Sequence, residues 1–280
     1  MQIALFGANS SISQAVKPLF EKVSNVMTIG RSNADIILDL NNYPSEFNLP
    51  PDIDALIHTA AHFGGLNVDE ISDAVMVNVI GTLKLYDASV RAGINQFIYI
   101  SSIYSHLKAD SPLYGIYSIS KKYAEEILRL HSKNKPTKLT ILRPSQIYGG
   151  FESNRIHQPF FYSIIDKIRK NELVTFYGKH DPQRNFIHID DLAEIIYQVV
   201  IKGVEGDFDC AFPENITFAG IADAARSVFQ SESEILFDRD KPDLADINIK
   251  YDHNLYEILN FQPKITMLEG MRSLKYKNKV

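Results

Sequence analysis

Gln2-Ile3-Ala4-Leu5-Phe6-Gly7-Ala8-Asn9-Ser10-Ser11-Ile12-Ser13 opens the chain and decides its fold. Residues 3–6 are apolar without interruption, as a strand covered on both faces of a parallel sheet must be. Gly7 supplies the tight turn that ends such a strand. From Ser11 to Phe20 the apolar spacing becomes that of a helix. A strand, a glycine turn and a helix in succession bring free amides and the positive end of the helix to one point, an arrangement that receives phosphate. A dinucleotide fingerprint carries three glycines. This turn keeps Gly7, with Ser10 or Ser11 and then Ser13 at the later places. A serine is small, and its hydroxyl can itself donate to phosphate. The same pattern also suits a plain strand–turn–helix connection.

Outward from this turn, short apolar runs alternate with helical patterns. Strands are expected at Gln2–Phe6, Val26–Ile29, Ile36–Leu38, Ala55–His58, Gln96–Ile100, Leu139–Leu142 and Phe208–Ala211. Helices are expected near Ser11–Phe20, Ala74–Ala92, Tyr117–Lys133 and Asp190–Ile201. This alternation predicts an α/β chain with a Rossmann-type, doubly wound parallel sheet and its ligand beyond the carboxyl ends of the strands. Residues 1–148, with a return at about 189–212, form the expected dinucleotide-binding domain. Residues 149–188 and 213–280 form a smaller substrate-binding lobe. The second strand runs into Ile29-Gly30-Arg31-Ser32. An acidic residue there would hold the ribose hydroxyls of NAD, whereas the Arg31 guanidinium suits the 2′-phosphate of NADP. Asp39, at the end of the third strand, is placed to reach the adenine.

The chemistry is concentrated in Tyr117-Ser118-Ile119-Ser120-Lys121. On a helix, residues four apart share a face, so phenol and ammonium point into one space. A nearby positive charge is expected to lower the phenol pKa and make it a useful proton carrier. Upstream, Ser101 and Ser102 end an apolar run, and a hydroxyl there can hold a carbonyl oxygen. With 14 tyrosines in the chain, about one such spacing arises by chance. A second does occur, Tyr104 to Lys108, in a stretch that reads as a loop.

These residues resemble the extended short-chain dehydrogenase/reductase family, in its branch acting on nucleotide sugars. The likeness runs over nearly the whole chain, through Tyr117–Glu125, His58-Thr59-Ala60-Ala61, Asn78-Val79-Ile80-Gly81-Thr82, Ile100-Ser101-Ser102, Arg143-Pro144-Ser145-Gln146-Ile147-Tyr148-Gly149, Arg184–Asp191 and Leu259-Asn260-Phe261-Gln262-Pro263. It implies that Tyr117 is the general acid, that Lys121 tunes it and binds the nicotinamide ribose, and that Ser102, rather than Ser101, holds the reacting oxygen. It implies a cofactor site of Gly7, Asn9, Ser10, Ser11, Ile12, Arg31, Asp39, Leu40, Ala60, Ala61, Asn78, Tyr117, Lys121, Pro144 and Ile147. Substrate is expected at His62, Ser102, Gln146, His157 and Arg184, the last pairing with a diphosphate.

Departures from the family narrow the reaction. Nucleotide-sugar 4,6-dehydratases carry an Asp-Glu pair after the catalytic hydroxyl, where this chain has Ile103 and Tyr104. GDP-fucose synthase has a cysteine at the place of Ile103, although His157 matches its histidine and Ala60–Gly65 its glycine-containing segment. The implied activity is NADPH-dependent reduction of a 4-keto (6-deoxy) nucleotide sugar. A 4-epimerase with tightly held NAD and a non-catalytic dinucleotide-binding protein are the alternatives. Family analogy also implies a homodimer through the helices following the fourth and fifth strands, with Leu83, Leu85 and Val90 suited to a contact or to a core.

Composition bounds the rest. The 280 residues carry a formal net charge of −5, which argues against a nucleic-acid surface. A single cysteine, Cys210, allows no intrachain disulfide and no cysteine-rich metal site. No apolar run approaches the ~20 residues that span a bilayer, and the amino terminus has no basic leader. The expected protein is soluble and cytoplasmic, without metal or membrane partner, and Lys275–Lys279 reads as a solvated tail.

Overall fold

The computed structural model describes residues 1–44, 47–249 and 251–277. In chain order its elements are β1 (Gln2–Phe6), α1 (Ser11–Phe20), β2 (Asn25–Gly30), β3 (Ile36–Ile37), β4 (Ala55–His58), α2 (Val68–Val75), a π-helical turn (Met76–Gly81), α3 (Thr82–Arg91), β5 (Gln96–Ile100), α4 (Ile116–Ser132) and β6 (Lys138–Pro144). Then come β7 (Gln146–Tyr148), α5 (Glu152–His157), α6 (Pro159–Arg169), β8 (Val174–Tyr177), β9 (Gln183–Arg184), β10 (Phe186–His188), α7 (Ile189–Lys202) and β11 (Gly206–Cys210). Finally, β12 (Ile216–Thr217), α8 (Phe218–Phe229), β13 (Ile235–Asp238), α9 (His253–Leu259) and α10 (Met267–Lys277) complete the chain. Two compact units result, Met1–Pro144 with Ala193–Asp209 and Ser145–Leu192 with Cys210–Val280.

The first unit is built on a sheet in the order β11-β6-β5-β4-β1-β2-β3. The pairs from β6 to β3 are parallel, the arrangement of a Rossmann-type fold. The chain moves outward from β1 to β2 and β3, then returns to place β4 on the other side of β1. That reversal opens a crevice at the carboxyl ends of β1 and β4, where open α/β sheets bind ligands. Alternation along the strands sorts the core. Ala4, Phe6, Leu56, Phe97, Tyr99 and Ile141 pack with Leu85, Tyr86 and Ala88 of α3 and Ala124 and Leu128 of α4. Their neighbours Ile3, Leu5, Ile57, Ile98 and Leu142, also buried, belong to the opposite face. Helices α1 and α7 meet through Phe20 and Tyr197.

The second unit has short strand pairs: β7 with β10 and β8 with β13 in parallel, β9 with β12 antiparallel. Its core is aromatic, with Tyr148, Phe161, Tyr162, Phe176, Phe186 and Phe218 packed with Ile221, Val228 and Met271. None of these short strands was expected from sequence, because two- to four-residue strands carry too little periodicity to stand out, and helices α5, α6, α8, α9 and α10 were not expected either.

Several expectations need correction. The single helix expected at Ala74–Ala92 is three segments. It starts at Val68, where the Asn67 side chain accepts from the Glu70 amide and the Glu70 carboxylate accepts from Asn67. A π-helical turn then interrupts it. The stretch Ser105–Pro112, read as a loop, is one from Leu107 onward, while Ser105 and His106 end a 3-10 turn over Ile103–His106 capped by the Ser102 hydroxyl. Of Leu83, Leu85 and Val90, left open between a dimer contact and a core, Leu85 is fully buried and Val90 packs against the core. Lys275 is no free tail, since it lies on α10 and its ammonium donates to the Val228 carbonyl at 2.6 Å. Residues 278 and 279 of that tail lie outside the described residues.

Candidate active site

The first turn is shaped by Gly7, whose φ is +101°. A Cβ at Gly7 would lie 2.5 Å from Thr59 Oγ1 and 2.7 Å from the Ala60 amide nitrogen, so no other residue fits this approach of β1 to the end of β4. Ser10 caps α1 by accepting from the Ser13 amide at 3.0 Å. The hydroxyls of Ser10 and Ser13 lie 2.7 and 2.9 Å from Thr59 Oγ1, which donates to the Phe6 carbonyl at 2.9 Å. The serine hydroxyls expected to face a phosphate are thus bonded to Thr59 instead. Ser11 and Ile12 are buried in the first turn of α1, where helix amides have no partner within the helix. Asn9 donates to the Ser32 carbonyl at 2.9 Å and its hydroxyl at 3.2 Å, tying the turn to the end of β2. Arg31 stands exposed there. Asp39 accepts from the Asn41 amide at 3.0 Å, and Leu40 is a core residue.

Ser102, Tyr117 and Lys121 come together in the first unit. Lys121 is 1% exposed, donates to the Ile100 carbonyl at 2.8 Å, and lies 4.7 Å from the centre of the Tyr99 ring and 6.0 Å from that of Tyr117. Burial lowers its pKa to about 7, against an opposing pull from the Glu125 carboxylate. The Tyr117 phenol moves the other way. Burial raises it to about 12, although a hydrogen bond with Ser102 pulls it down. Where Lys121 was expected to lower the phenol, removal of the phenolate from water raises it, and the lowering contact is the Ser102 hydrogen bond.

The loop after β4 is fastened to this pair. Asn78, in the π-helical turn, accepts from the His62 amide at 2.8 Å and donates to the His62 carbonyl at 2.7 Å and to Ser120 Oγ at 2.9 Å. Ser120 in turn donates to the Tyr117 carbonyl at 3.0 Å. His62 Nδ1 accepts from the Gly64 amide. Gly64 has φ +80°, and a Cβ there would lie 2.1 Å from Ile116 Cγ2 at the start of α4. The loop consequently sets the Phe63 ring flat against Tyr117, with centroids 5.0 Å apart and an interplanar angle of 12°.

A buried ionic network holds the rear of the pair. Glu125, one turn beyond Lys121, receives both Nε and Nη2 of Arg143 at 2.8–3.0 Å and the Ser101 hydroxyl at 2.5 Å. Burial alone would raise the Glu125 pKa, but Arg143 and Ser101 more than offset it and hold the carboxyl below its ordinary value. Arg143 continues to Asp207 and Asp209, each at 3.3 Å, and His106 bonds Asp209 at 2.9 Å. Sequence reasoning quoted Glu125 and Thr59 inside motifs without assigning either a role. It passed over Phe63, although Gly64-Gly65 beside an aromatic residue marks a loop shaped for close approach.

Ala60 and Ala61 follow β4, half-buried, and Pro144 ends β6, buried. The remaining candidates belong to the second unit. Gln146 donates to Gln158 Oε1 at 3.1 Å. Ile147 pairs with Ile187 across β7 and β10, and His157 closes α5. Arg184 is 8% exposed, so it is no surface arginine. Its guanidinium lies 5.1 Å from the centre of the Phe218 ring and donates through Nη1 to the carbonyls of Gln183 and Ala245. Among the described residues, no helix is long and apolar enough to cross a membrane, and no group of three or more metal-ligating side chains occurs.

A Rossmann-type parallel sheet that reverses between β1 and β4, with a serine–tyrosine–lysine group in the same unit, sets the class of protein to be compared. The model of the NAD dependent epimerase/dehydratase family matches residues 22–211, and the chain belongs to that family. A dTDP-4-dehydro-6-deoxy-D-allose reductase of a Streptomyces species is 23% identical over 237 residues, which are 77% of this chain and 72% of that protein. A putative UDP-glucose 4-epimerase of Methanocaldococcus jannaschii is 23% identical over 235 residues, 79% of this chain and 75% of that protein. The crystal structure of UDP-glucose 4-epimerase from Thermotoga maritima with UDP-glucose has the same fold, with a TM-score of 0.77 at 19% identity over 100% of this chain and 99% of that one. Reductases and epimerases of nucleotide sugars stand side by side among these relatives.

Proposed function

We propose that the protein reduces a 4-keto nucleotide sugar, such as a 6-deoxy sugar, with NADPH. The observation that carries this reading is the grouping of Ser102, Tyr117 and Lys121, with the Tyr117 phenol hydrogen-bonded to Ser102 and the Lys121 ammonium 6.0 Å from its ring. A reductase needs a proton donor at neutral pH, and a neutral phenol is one. Ser102 would hold the ketone oxygen and Tyr117 would deliver its proton as the alkoxide forms. Ser101 is engaged by Glu125, which favours Ser102 for that task. Ile103 and Tyr104, which follow Ser102, supply no acid–base pair for eliminating water.

The crevice suits a dinucleotide, because Gly7 lets the turn close to within contact of Thr59 and Ala60. The first-turn amides of α1 would hold the pyrophosphate, and exposed Arg31 the 2′-phosphate. An ammonium carries three hydrogens, so the bond of Lys121 to Ile100 leaves donors for the ribose hydroxyls. When bound, the nicotinamide supplies the hydride. His62, Gln146, His157 and Arg184 are proposed to line the sugar nucleotide. The reading also carries a cytoplasmic location and a homodimer. The dimer is supported by Val68, Ile71 and Val75, which recur on one side of α2 and are 76%, 38% and 38% exposed.

A second reading, a 4-epimerase with resident NAD, is favoured by the match to the Methanocaldococcus relative. It uses Ser102, Tyr117 and Lys121 in the same roles. Assay of nucleotide released from purified protein, followed by titration with NADPH and NADH, separates the two. A preference for NADPH that disappears in Arg31→Ala supports the reductase. Retained NAD supports the epimerase, and binding of neither nucleotide overturns both.

A further inference from the structure

We infer that Thr59 is a positioning residue for the phosphate turn, compensating for the serines that occupy two of its glycine places. The inference rests on the reading that this turn receives dinucleotide phosphates. Ser10 and Ser13 follow Gly7 at intervals of three, and the family resemblance puts the later glycine places of such a turn at these serines. Side chains at the second and third places must be put somewhere other than the phosphate site and the helix–strand contact. Here both point at one atom, Thr59 Oγ1, at 2.7 and 2.9 Å.

One assignment of the protons satisfies all of these bonds. A threonine hydroxyl has one hydrogen and two lone pairs. With its hydrogen on the Phe6 carbonyl, Thr59 Oγ1 accepts from both Ser10 and Ser13. Ser10 Oγ also accepts from the Ser13 amide. Both serine hydrogens are then committed inward, and neither hydroxyl can donate to a phosphate. The phosphate surface is left to backbone amides, as in a turn of glycines. Ser13 is 1% exposed, so water is poorly placed to replace its partner. Thr59 thus ties α1 to the ends of β1 and β4 at the point where Gly7 has no room for a side chain.

Binding of NADPH and NADH, measured by calorimetry on the purified full chain, tests this in five proteins. Thr59→Val keeps the shape and removes the acceptor. It is expected to weaken binding of the preferred nucleotide by about tenfold or more, with the circular dichroism of the wild type. Thr59→Ser keeps the hydroxyl and should bind within about threefold of wild type. Ser10→Gly/Ser13→Gly removes both donors and is the reference for the triple variant. Adding Thr59→Val to that double variant should cost little, because glycines need no acceptor. Wild-type affinity in Thr59→Val overturns the inference, as does a triple variant no better than Thr59→Val. Should Thr59→Val not fold, the triple variant set against Ser10→Gly/Ser13→Gly decides: equal affinity supports the inference, and a tenfold gap overturns it. Wild-type protein that binds neither nucleotide overturns the functional reading and this inference with it. Wild-type binding with an indifferent Thr59→Val overturns the inference alone.

Discussion

Two polar clusters lie at the carboxyl ends of neighbouring strands, and they are built on opposite plans. At β1 and β4, the Ser10, Ser13 and Thr59 hydroxyls satisfy one another and the Phe6 carbonyl. Behind Tyr117, the buried His58 Nδ1 and Tyr99 hydroxyl find no hydrogen-bond partner among the described residues. Both flank Lys121, whose burial brings its pKa to about 7. Burial, with the Lys121 charge, also drives His58 well below its ordinary value. Groups that are fully bonded hold a backbone in place. Groups deprived of water and partners are held in their neutral form, and Lys121, with its pKa brought to about 7, is left able to change charge near neutral pH. The difference assigns the first cluster to scaffolding and the second to chemistry.

Removing the phenol strikes the poised cluster most directly. Tyr117→Phe should lower kcat by roughly 10²–10⁴-fold, the usual worth of a positioned proton donor, and leave nucleotide affinity nearly unchanged. Stopped-flow turnover alongside calorimetry checks this. A variant with full turnover would remove Tyr117 from the mechanism.

Glu125 is the link between scaffold and chemistry, since it bonds Ser101 and Arg143 and sits one turn from Lys121. Glu125→Ala leaves the Arg143 guanidinium buried without its main partner and should destabilise the fold by about 3–5 kcal/mol in urea unfolding. Glu125→Gln keeps a hydrogen-bonding side chain and removes the charge. If the Lys121 ammonium is required, kcat/KM falls as pH rises through about 7. In Glu125→Gln that limb should move to lower pH by about one unit.

The same lysine makes stability depend on pH with a definite sign. Its folded pKa is about 7 and its unfolded value 10.5. Between these limits the unfolded chain binds more protons, so the Lys121 contribution to stability rises with pH across that window and is at its most unfavourable below 7. Lys121→Met should abolish this rise, which thermal melts at pH 7 and pH 9 would detect as a smaller difference than in wild type.

What could be read from sequence divides along the same line as the two clusters. The strand Gln2–Phe6 and helix Ser11–Phe20 were legible because burial imposes apolar periodicity on local sequence. Ser102, Tyr117 and Lys121 were legible as a group because their spacing carries the chemistry. The direction of the Tyr117 shift was not. It depends on how completely the loop 62–65 and the helix start exclude water, a property of packing. The roles of Thr59 and Glu125 were hidden for a related reason: their partners lie 49 residues away at Ser10 and 18 away at Arg143. The asparagine–glutamate cap at Asn67–Glu70 was a local signal, and reading it would have placed the start of α2 correctly.

The smallest expected effect sharpens the comparison most, because it changes water access without touching a proton donor. Phe63 covers one face of Tyr117 at 5.0 Å and is itself 48% exposed. Phe63→Ala loses a stacked contact worth about 0.5–1.5 kcal/mol beyond its area, so the fold should survive with a slightly lower melting temperature. The phenol gains water on that face. Burial is the main cause of its raised pKa, so the value should fall from about 12 toward the ordinary range. Carbon-13 labelling of tyrosine Cζ follows this by NMR titration, with the Tyr117 signal assigned by its loss in Tyr117→Phe. A value unmoved in Phe63→Ala would mean that the phenol is kept dry by α4 and the strand ends alone, and the loop would then belong with the scaffold.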